Sequence, residues 1–250
     1  MADGRGRWRA CVVAGPGANP VAAGAEGGLG GSVGLGGSAG LGGSARLGGS
    51  RRKKRTAELD LVLLPDGPII TDPAPAPPIT VGFAAAKGER TEWAVGKLTE
   101  LGVDRVLLLD CDRGVVRVGD GASKSRLDRL RRVAREAAAQ SRRADLPELD
   151  PPASLSSVLE AFPPGSVALA EPGGGPVTLE TPVILVGPEG GWSPEERSLA
   201  GEHGAPFVAL AQGVLRIETA AVAAGTLLSS LRAGIVGPRG QAAPSARHVP

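Results

Sequence analysis

The chain has 250 residues, with 28 Lys and Arg against 26 Asp and Glu, 39 Gly, 22 Pro, six large aromatic residues and two Cys. A net charge of +2 excludes whole-chain electrostatic attraction as an argument for nucleic acid, so any such argument rests on local patches. Cys11 and Cys111 supply neither a disulfide framework nor a metal cluster, and no apolar run approaches the ~20 residues of a membrane span; together with the lack of an apolar core after Arg5, Arg7 and Arg9, this reads as a soluble, cytoplasmic chain without membrane or metal.

Of the 39 glycines, 17 fall in the first 50 residues, where Leu-Gly-Gly-Ser recurs from residues 29, 35, 41 and 47. One Leu per repeat cannot offset glycine's backbone entropy, so this segment is expected to be a disordered tail or linker. Two Gly-x-Ser-x-Gly matches inside it, at 30–34 and 36–40, lack the strand-to-helix setting of a nucleophile elbow. The run Arg51, Arg52, Lys53, Lys54, Arg55 ends this first region, 1–55, and reads either as a solvated hinge or as a phosphate-contacting arm. Residues 56–78 hold one candidate strand, Leu59 to Leu64, and the stiff connector Asp72 to Pro78. The main domain is expected over 79–236, with a flexible tail over 237–250.

Within 79–236, short apolar runs alternate with amphipathic stretches. Strands are expected at Ile79 to Ala84, Arg105 to Leu109, Val167 to Ala170, Val183 to Val186 and Phe207 to Leu210. Helices are expected at Arg90 to Leu101 with Gly102 closing the end, Lys124 to about Ser141, Leu155 to Phe162, Pro194 to about Glu202, and Ile217 to Leu231. This alternation implies an α/β fold with a mostly parallel sheet covered on both faces. Ser193-Pro194-Glu195-Glu196 is a capping-box start, which makes Gly187 to Trp192 a loop from a strand's carboxyl end to a helix N-terminus. The stretch Thr219 to Leu231 is apolar nearly all round and is expected to be buried on several sides, in a core or a subunit interface.

Neither a dinucleotide fingerprint nor a P-loop occurs, and His203 and His248 are too few for histidine-based chemistry. Three features remain. Gly187, Pro188, Glu189, Gly190 and Gly191 form either an ordinary strand-end turn or a loop whose backbone approaches a ligand. Arg216 and Glu218, at the start of the last helix, form either a capping ion pair or part of a site. Eight basic residues against two acidic ones between Lys124 and Arg143 make either a solvated face or a polyanion footprint.

In order, these segments resemble the bacterial 16S rRNA (uracil-N3)-methyltransferases, a SPOUT-class family. The blocks are Lys87-Gly88-Glu89-Arg90 with Glu92, Lys97 and Glu100 to Val103; Glu136-Ala137 with Gln140, Ser141, Arg143 and Pro147; Leu185 to Gly191 with Glu195 or Glu196; and Leu215-Arg216 with Glu218-Thr219-Ala220. The resemblance implies a parallel sheet with a C-terminal deep trefoil knot, a homodimer, and S-adenosyl-L-methionine as cofactor. It places the cofactor against Leu169, Ala170 and Glu171 of a first loop, against Val186 with Gly187 to Gly191, and against Leu210, Leu215, Arg216 and Glu218. It implies 16S rRNA of the small ribosomal subunit as partner, with Arg51 to Arg55, Arg132, Arg135, Gln140 and Arg143 as RNA contacts. Glu189 or Glu218 would be the base and Arg216 the stabiliser of a uridine anion. A non-enzymatic RNA-binding or assembly protein on a degenerate core is the alternative, as is a related methyltransferase acting on another RNA. Two departures stand out: Gly96 replaces the family's Gln, and Leu210-Ala211-Gln212-Gly213 replaces Leu-Gly-x-Arg. The family's PUA-like barrel is reduced here to a remnant at 56–78.

Overall fold

The computed structural model describes residues 7–8, 11–14, 62–65, 68–71, 73–86, 88–114 and 120–237. The glycine repeat, the basic run Arg51 to Arg55 and the tail beyond residue 237 lie outside the described residues. The chain divides into two compact units. In the larger, β1 (Arg7–Trp8) pairs antiparallel with a strand at Ile70–Thr71. In the smaller, β2 (Cys11–Ala14) pairs antiparallel with β3 (Val62–Pro65), Cys11 opposite Pro65 and Ala14 opposite Val62. The strand Ile70–Thr71 is β4. The sequence reading placed no element before residue 56, so β1 and β2 correct it. Their apolar stretches are too short to show a period, and their partners lie beyond the repeat.

The core sheet of the larger unit contains β5 (Thr80–Ala84), β6 (Arg105–Asp110), β7 (Glu148–Leu149), β8 (Ala153–Ser154), β9 (Val167–Gly175), β10 (Val183–Val186) and β11 (Phe207–Val208). The strand order is β11-β9-β10-β5-β6-β7, with β8 also on β6, and every pair is parallel. Among the described residues five helices accompany it: α1 (Arg90–Glu100), α2 (Asp120–Gln140), α3 (Leu155–Ala161), α4 (Pro194–Glu202) and α5 (Ile217–Arg232). The expected α/β class and parallel sheet are thus observed. All residues of β5 and β10 are buried, as unbroken apolar runs require when both faces are covered. Among the described residues no helix is long and apolar enough to cross a membrane, and no group of three His, Cys, Asp or Glu could hold a metal.

Three details differ from the sequence reading. The helix expected from Lys124 starts at Asp120, and β7 and β8 are two-residue strands too short to leave a periodic signature. The strand expected to end at Ala170 continues to Gly175, so Leu169 to Pro172 is not a connecting loop. Its pairing explains the difference: Phe207 lies opposite Leu169 and the next residue, Val208, opposite Gly175. Residues 170–174 therefore bulge away from β11 at the carboxyl edge. Because the bulge brings Gly175 back beside the level of Leu169, residues 176–182 suffice to return the chain to the start of β10. That is short for a parallel connection.

The long apolar run forms α5. It packs against α1 and β5, burying Ile217, Ala220, Ala221, Ala224, Gly225 and Leu228. It is not covered all round, since Val222, Ala223, Leu227 and Leu231 are half-buried and Thr219 and Thr226 exposed. Leu228→Ala, which hollows the covered face, is expected to cost about 2–5 kcal/mol. Leu231→Ala on the other face should cost clearly less. Urea midpoints for the two variants check this, and equal losses would contradict the packing described.

Candidate functional site

The parallel register sets the carboxyl ends of four strands in one row. Ala170 of β9 lies opposite Val186 of β10, Val186 opposite Phe83 of β5, and Ala84 opposite Leu109 of β6. From β5 the chain runs outward to β6 on one side, then enters β9, β10 and β11 on the other. The gap between β5 and β10 is therefore the switch point at which open α/β sheets bind ligands.

The loop after β10 reaches α4 through the expected capping box. Ser193 Oγ accepts from the Glu196 backbone N–H at 3.1 Å, and Glu196 Oε2 accepts from the Ser193 N–H at 2.7 Å. Glu196 is buried, and its second oxygen accepts from the Asp112 N–H at 3.1 Å in the turn after β6. The buried Trp192 indole donates to Ala170 O at 3.2 Å. A side chain at Gly187 would begin 3.0 Å from that indole, so this glycine makes room for Trp192. At Gly190 a Cβ would lie 3.3 Å from Arg113 Cβ. At 187 and 190 the neighbours that a side chain would meet belong to the protein itself.

Leu169 and Val186, both expected to face a cofactor, are buried strand residues whose side chains belong to the core. Glu171 lies in the β9 bulge, paired with Arg197 of α4, whose guanidinium stacks 5.2 Å from the Phe207 ring centre. Arg216 is exposed and caps α5 without a side-chain hydrogen bond. Glu218, two residues further, is 3.8 Å from Arg90 at the start of α1, so the expected Arg216–Glu218 cap is not the pairing that forms. Beside it Glu92 pairs with Arg129 of α2 at 3.3 Å, and the Thr91 hydroxyl accepts from the Ala86 N–H at 3.1 Å and from Arg126 at 3.1 Å. Among the described residues, the side-chain oxygens buried without a partner are Glu92 Oε2, Glu171 Oε2 and Glu218 Oε2. All three residues stand at this edge of the sheet, and unsatisfied buried acceptors mark places where a further donor is wanted.

An open cavity of about 600 Å³ is lined by Gly173 and Val177, by Ala209, Leu210, Ala211 and Gln212, and by Leu227, Leu231 and Val236. Of the expected cofactor contacts only Leu210 lines it. Gly187 to Gly191, Leu215, Arg216 and Glu218 do not. Cys111 is buried behind the turn after β6; its thiol is pushed up to about 12 by burial first, then by Glu196, Asp110 and Asp112, and is protonated at neutral pH.

Residues 73–229 match the RNA methyltransferase domain family. The chain belongs to this family. Over 172 residues it is 37% identical to the ribosomal RNA small subunit methyltransferase E of Mycobacterium bovis, which covers 61% of this chain and 63% of that protein. The chain thus spans less than two thirds of the length of this curated relative. The crystal structure of a ribosomal RNA small subunit methyltransferase E from Neisseria gonorrhoeae bound to S-adenosyl methionine is 29% identical, with TM-score 0.57, covering 68% of this chain and 72% of that one. A methyltransferase from Legionella pneumophila, solved in complex with the cofactor SAM, is 25% identical, with TM-score 0.59, covering 68% and 73%.

Of the residues expected to contact RNA, Arg132, Arg135 and Gln140 are exposed on α2, while Arg143 is half-buried and paired with Asp145 at 3.3 Å. Sequence reasoning missed Asp112, Arg113 and Arg90 as parts of the edge. The available signal was a charged turn, Asp112-Arg113-Gly114, directly after the apolar β6. Gly187→Val should push against the Trp192 ring and break its bond to Ala170, lowering stability by roughly 1–3 kcal/mol. Thermal unfolding tests this, and an unchanged midpoint would contradict the packing of Trp192 on Gly187.

Proposed function

We propose that the chain transfers a methyl group from S-adenosyl-L-methionine to N3 of a uridine in 16S rRNA of the small ribosomal subunit. The observation that carries this is the buried, unpartnered Glu218 Oε2 beside exposed Arg216 at the carboxyl edge, in a chain of the RNA methyltransferase family. The names of its relatives support the rRNA substrate.

The cofactor's demands fit the residues present. The cavity has the size of a small-molecule site, and Leu210, Leu227, Leu231 and Val177 give it apolar walls suited to an adenine ring. The Gly187 to Gly191 loop, outside this lining but at the carboxyl end of β10, is the second segment that the reading assigns to the cofactor. When bound, the cofactor supplies a methyl group on a sulfonium, for which alignment matters more than covalent help from the protein.

The work left to the chain is to hold and deprotonate the uracil. Glu218 Oε2 would accept the N3 proton, for which its lack of any present donor leaves it free. Arg90, 3.8 Å from Glu218, keeps the carboxylate in place. Arg216, exposed and without a side-chain capping bond, would hold the charge that develops on the uracil oxygens. Glu189, exposed in its loop, is the alternative base.

The same reading includes the deep trefoil knot, for which the short 176–182 return gives support, and a PUA-like remnant, for which the two antiparallel pairs joining residues 7–14 to 62–71 give support. It includes a homodimer, because the half-buried face of α5 with Val222, Ala223, Leu227 and Leu231 is apolar. It also includes RNA contacts from Arg132, Arg135 and Gln140, and a cytoplasmic setting. One observation favours the rival reading of a non-enzymatic RNA-binding protein: Ala211 and Gly213 stand where the family carries glycine and arginine.

Incubation of the full chain with labelled cofactor and small subunits, followed by nucleoside mass spectrometry, should yield N3-methyluridine. Glu218→Gln should slow the transfer by roughly 100-fold or more, the usual worth of a general base. Cofactor affinity should change little. Label absent from the RNA would favour the rival, and an undiminished rate in Glu218→Gln would remove this residue from the chemistry.

A further inference from the structure

The turn after β6 is fastened to the loop after β10 although β5 lies between their strands. Arg113 Nη1 donates to Gly190 O at 3.0 Å and to Trp192 O at 3.4 Å. Ser193 Oγ donates to Asp112 Oδ2 at 2.7 Å, and the Asp112 N–H donates to Glu196 at 3.1 Å. Two adjacent residues thus hold the loop at four points, and the turn that presents them is closed by Gly114 N–H to Cys111 O at 2.9 Å. The two bonds from Arg113 come from a charged donor, the stronger class. They converge on carbonyls that flank Gly191, a residue in the left-handed region at φ +70°.

We propose that Arg113 is a positioning residue for cofactor binding. It aims no atom at the ligand. By holding the carbonyls of Gly190 and Trp192, it turns them away from the loop's inner side and fixes the direction of the amides at 189–191. Without it the turn keeps its own Gly191 N–H to Pro188 O bond at 2.9 Å and its helix end at Ser193 and Glu196, but the Gly190 and Trp192 carbonyls lose the donor that ties them to the turn after β6. Arginine suits the task because its long side chain carries one charged nitrogen, Nη1, to both carbonyls at 3.0 and 3.4 Å. This inference rests on the reading of Gly187 to Gly191 as a cofactor loop.

The test uses the full chain with Trp8 and Trp93 replaced by Phe, so that emission reports Trp192 alone, and compares it with the same chain carrying Arg113→Ala or Arg113→Lys. Arg113→Ala is expected to shift the Trp192 emission and weaken S-adenosylmethionine binding in calorimetry roughly 10- to 100-fold, the range for losing a charged hydrogen bond. Its thermal midpoint should stay near that of the parent, because Arg113 is exposed. The Michaelis constant for the cofactor should rise in step while kcat changes less. Arg113→Lys, whose shorter side chain sets its ammonium back from the two carbonyls, should recover part of the affinity and part of the emission.

Unchanged affinity in Arg113→Ala overturns the proposal, whether or not the emission shifts. Full recovery of affinity in Arg113→Lys with emission still altered also overturns it, since a charge alone would then suffice. Should the parent chain bind no S-adenosylmethionine, the cofactor reading fails by itself. The Trp192 emission of Arg113→Ala then decides whether the clamp holds the loop.

Discussion

Parallel register is the constraint from which the site follows. The ladders through β9, β10, β5 and β6 align Ala170, Val186, Phe83 and Leu108 across the sheet, and their side chains leave no freedom to slip. A one-residue shift in any of these buried strands would exchange which side chains face which helical layer. With the register set, the chain has to leave the sheet at one edge, and every charged residue of interest lies within a few residues of that exit. Glu171, Arg113, Arg90 and Glu218 come from four different segments but share this edge.

The second layer of order is polar. Loops at the end of a sheet are usually its loosest parts, yet here each is tied to a neighbour. Trp192 is bonded to β9, Glu196 to the turn after β6, Arg197 to the bulge, and Arg90 to α5. Against this background the three unpartnered carboxylate oxygens stand out, because so many other polar groups nearby are paired. Rigid surroundings with a few unsatisfied acceptors are what preorganised chemistry requires. The apolar face of α5 that carries Leu227 and Leu231 lines the cavity and is only half covered within the chain.

Much of this was legible in the sequence, for reasons tied to particular residues. The Val183 to Val186 run and the Ser193-Pro194-Glu195-Glu196 start are local signals, and β10 and α4 appear at the residues expected. Arg216 to Thr219 entering a long apolar helix likewise located the start of α5. What escaped was non-local. Nothing near Leu169 tells that β9 bulges before pairing again at Gly175, because the cause is Phe207 and Val208 on β11. The role of Gly187 depends on the indole five residues later, and the fastening by Arg113 depends on carbonyls on the far side of β5. Resemblance to a family supplied the order of the blocks, whereas the bonds between them needed coordinates.

The central claim is that the carboxyl edge, from the β9 bulge across the Gly187 to Gly191 loop to the start of α5, is a cofactor site. Amide hydrogen exchange of the full chain with and without S-adenosylmethionine tests it most directly. The account predicts slowed exchange in peptides covering residues 169–175, 187–193 and 209–218, with little change in α3 or at the amino ends of the strands. Protection confined to other segments, or none at saturating cofactor, would contradict it.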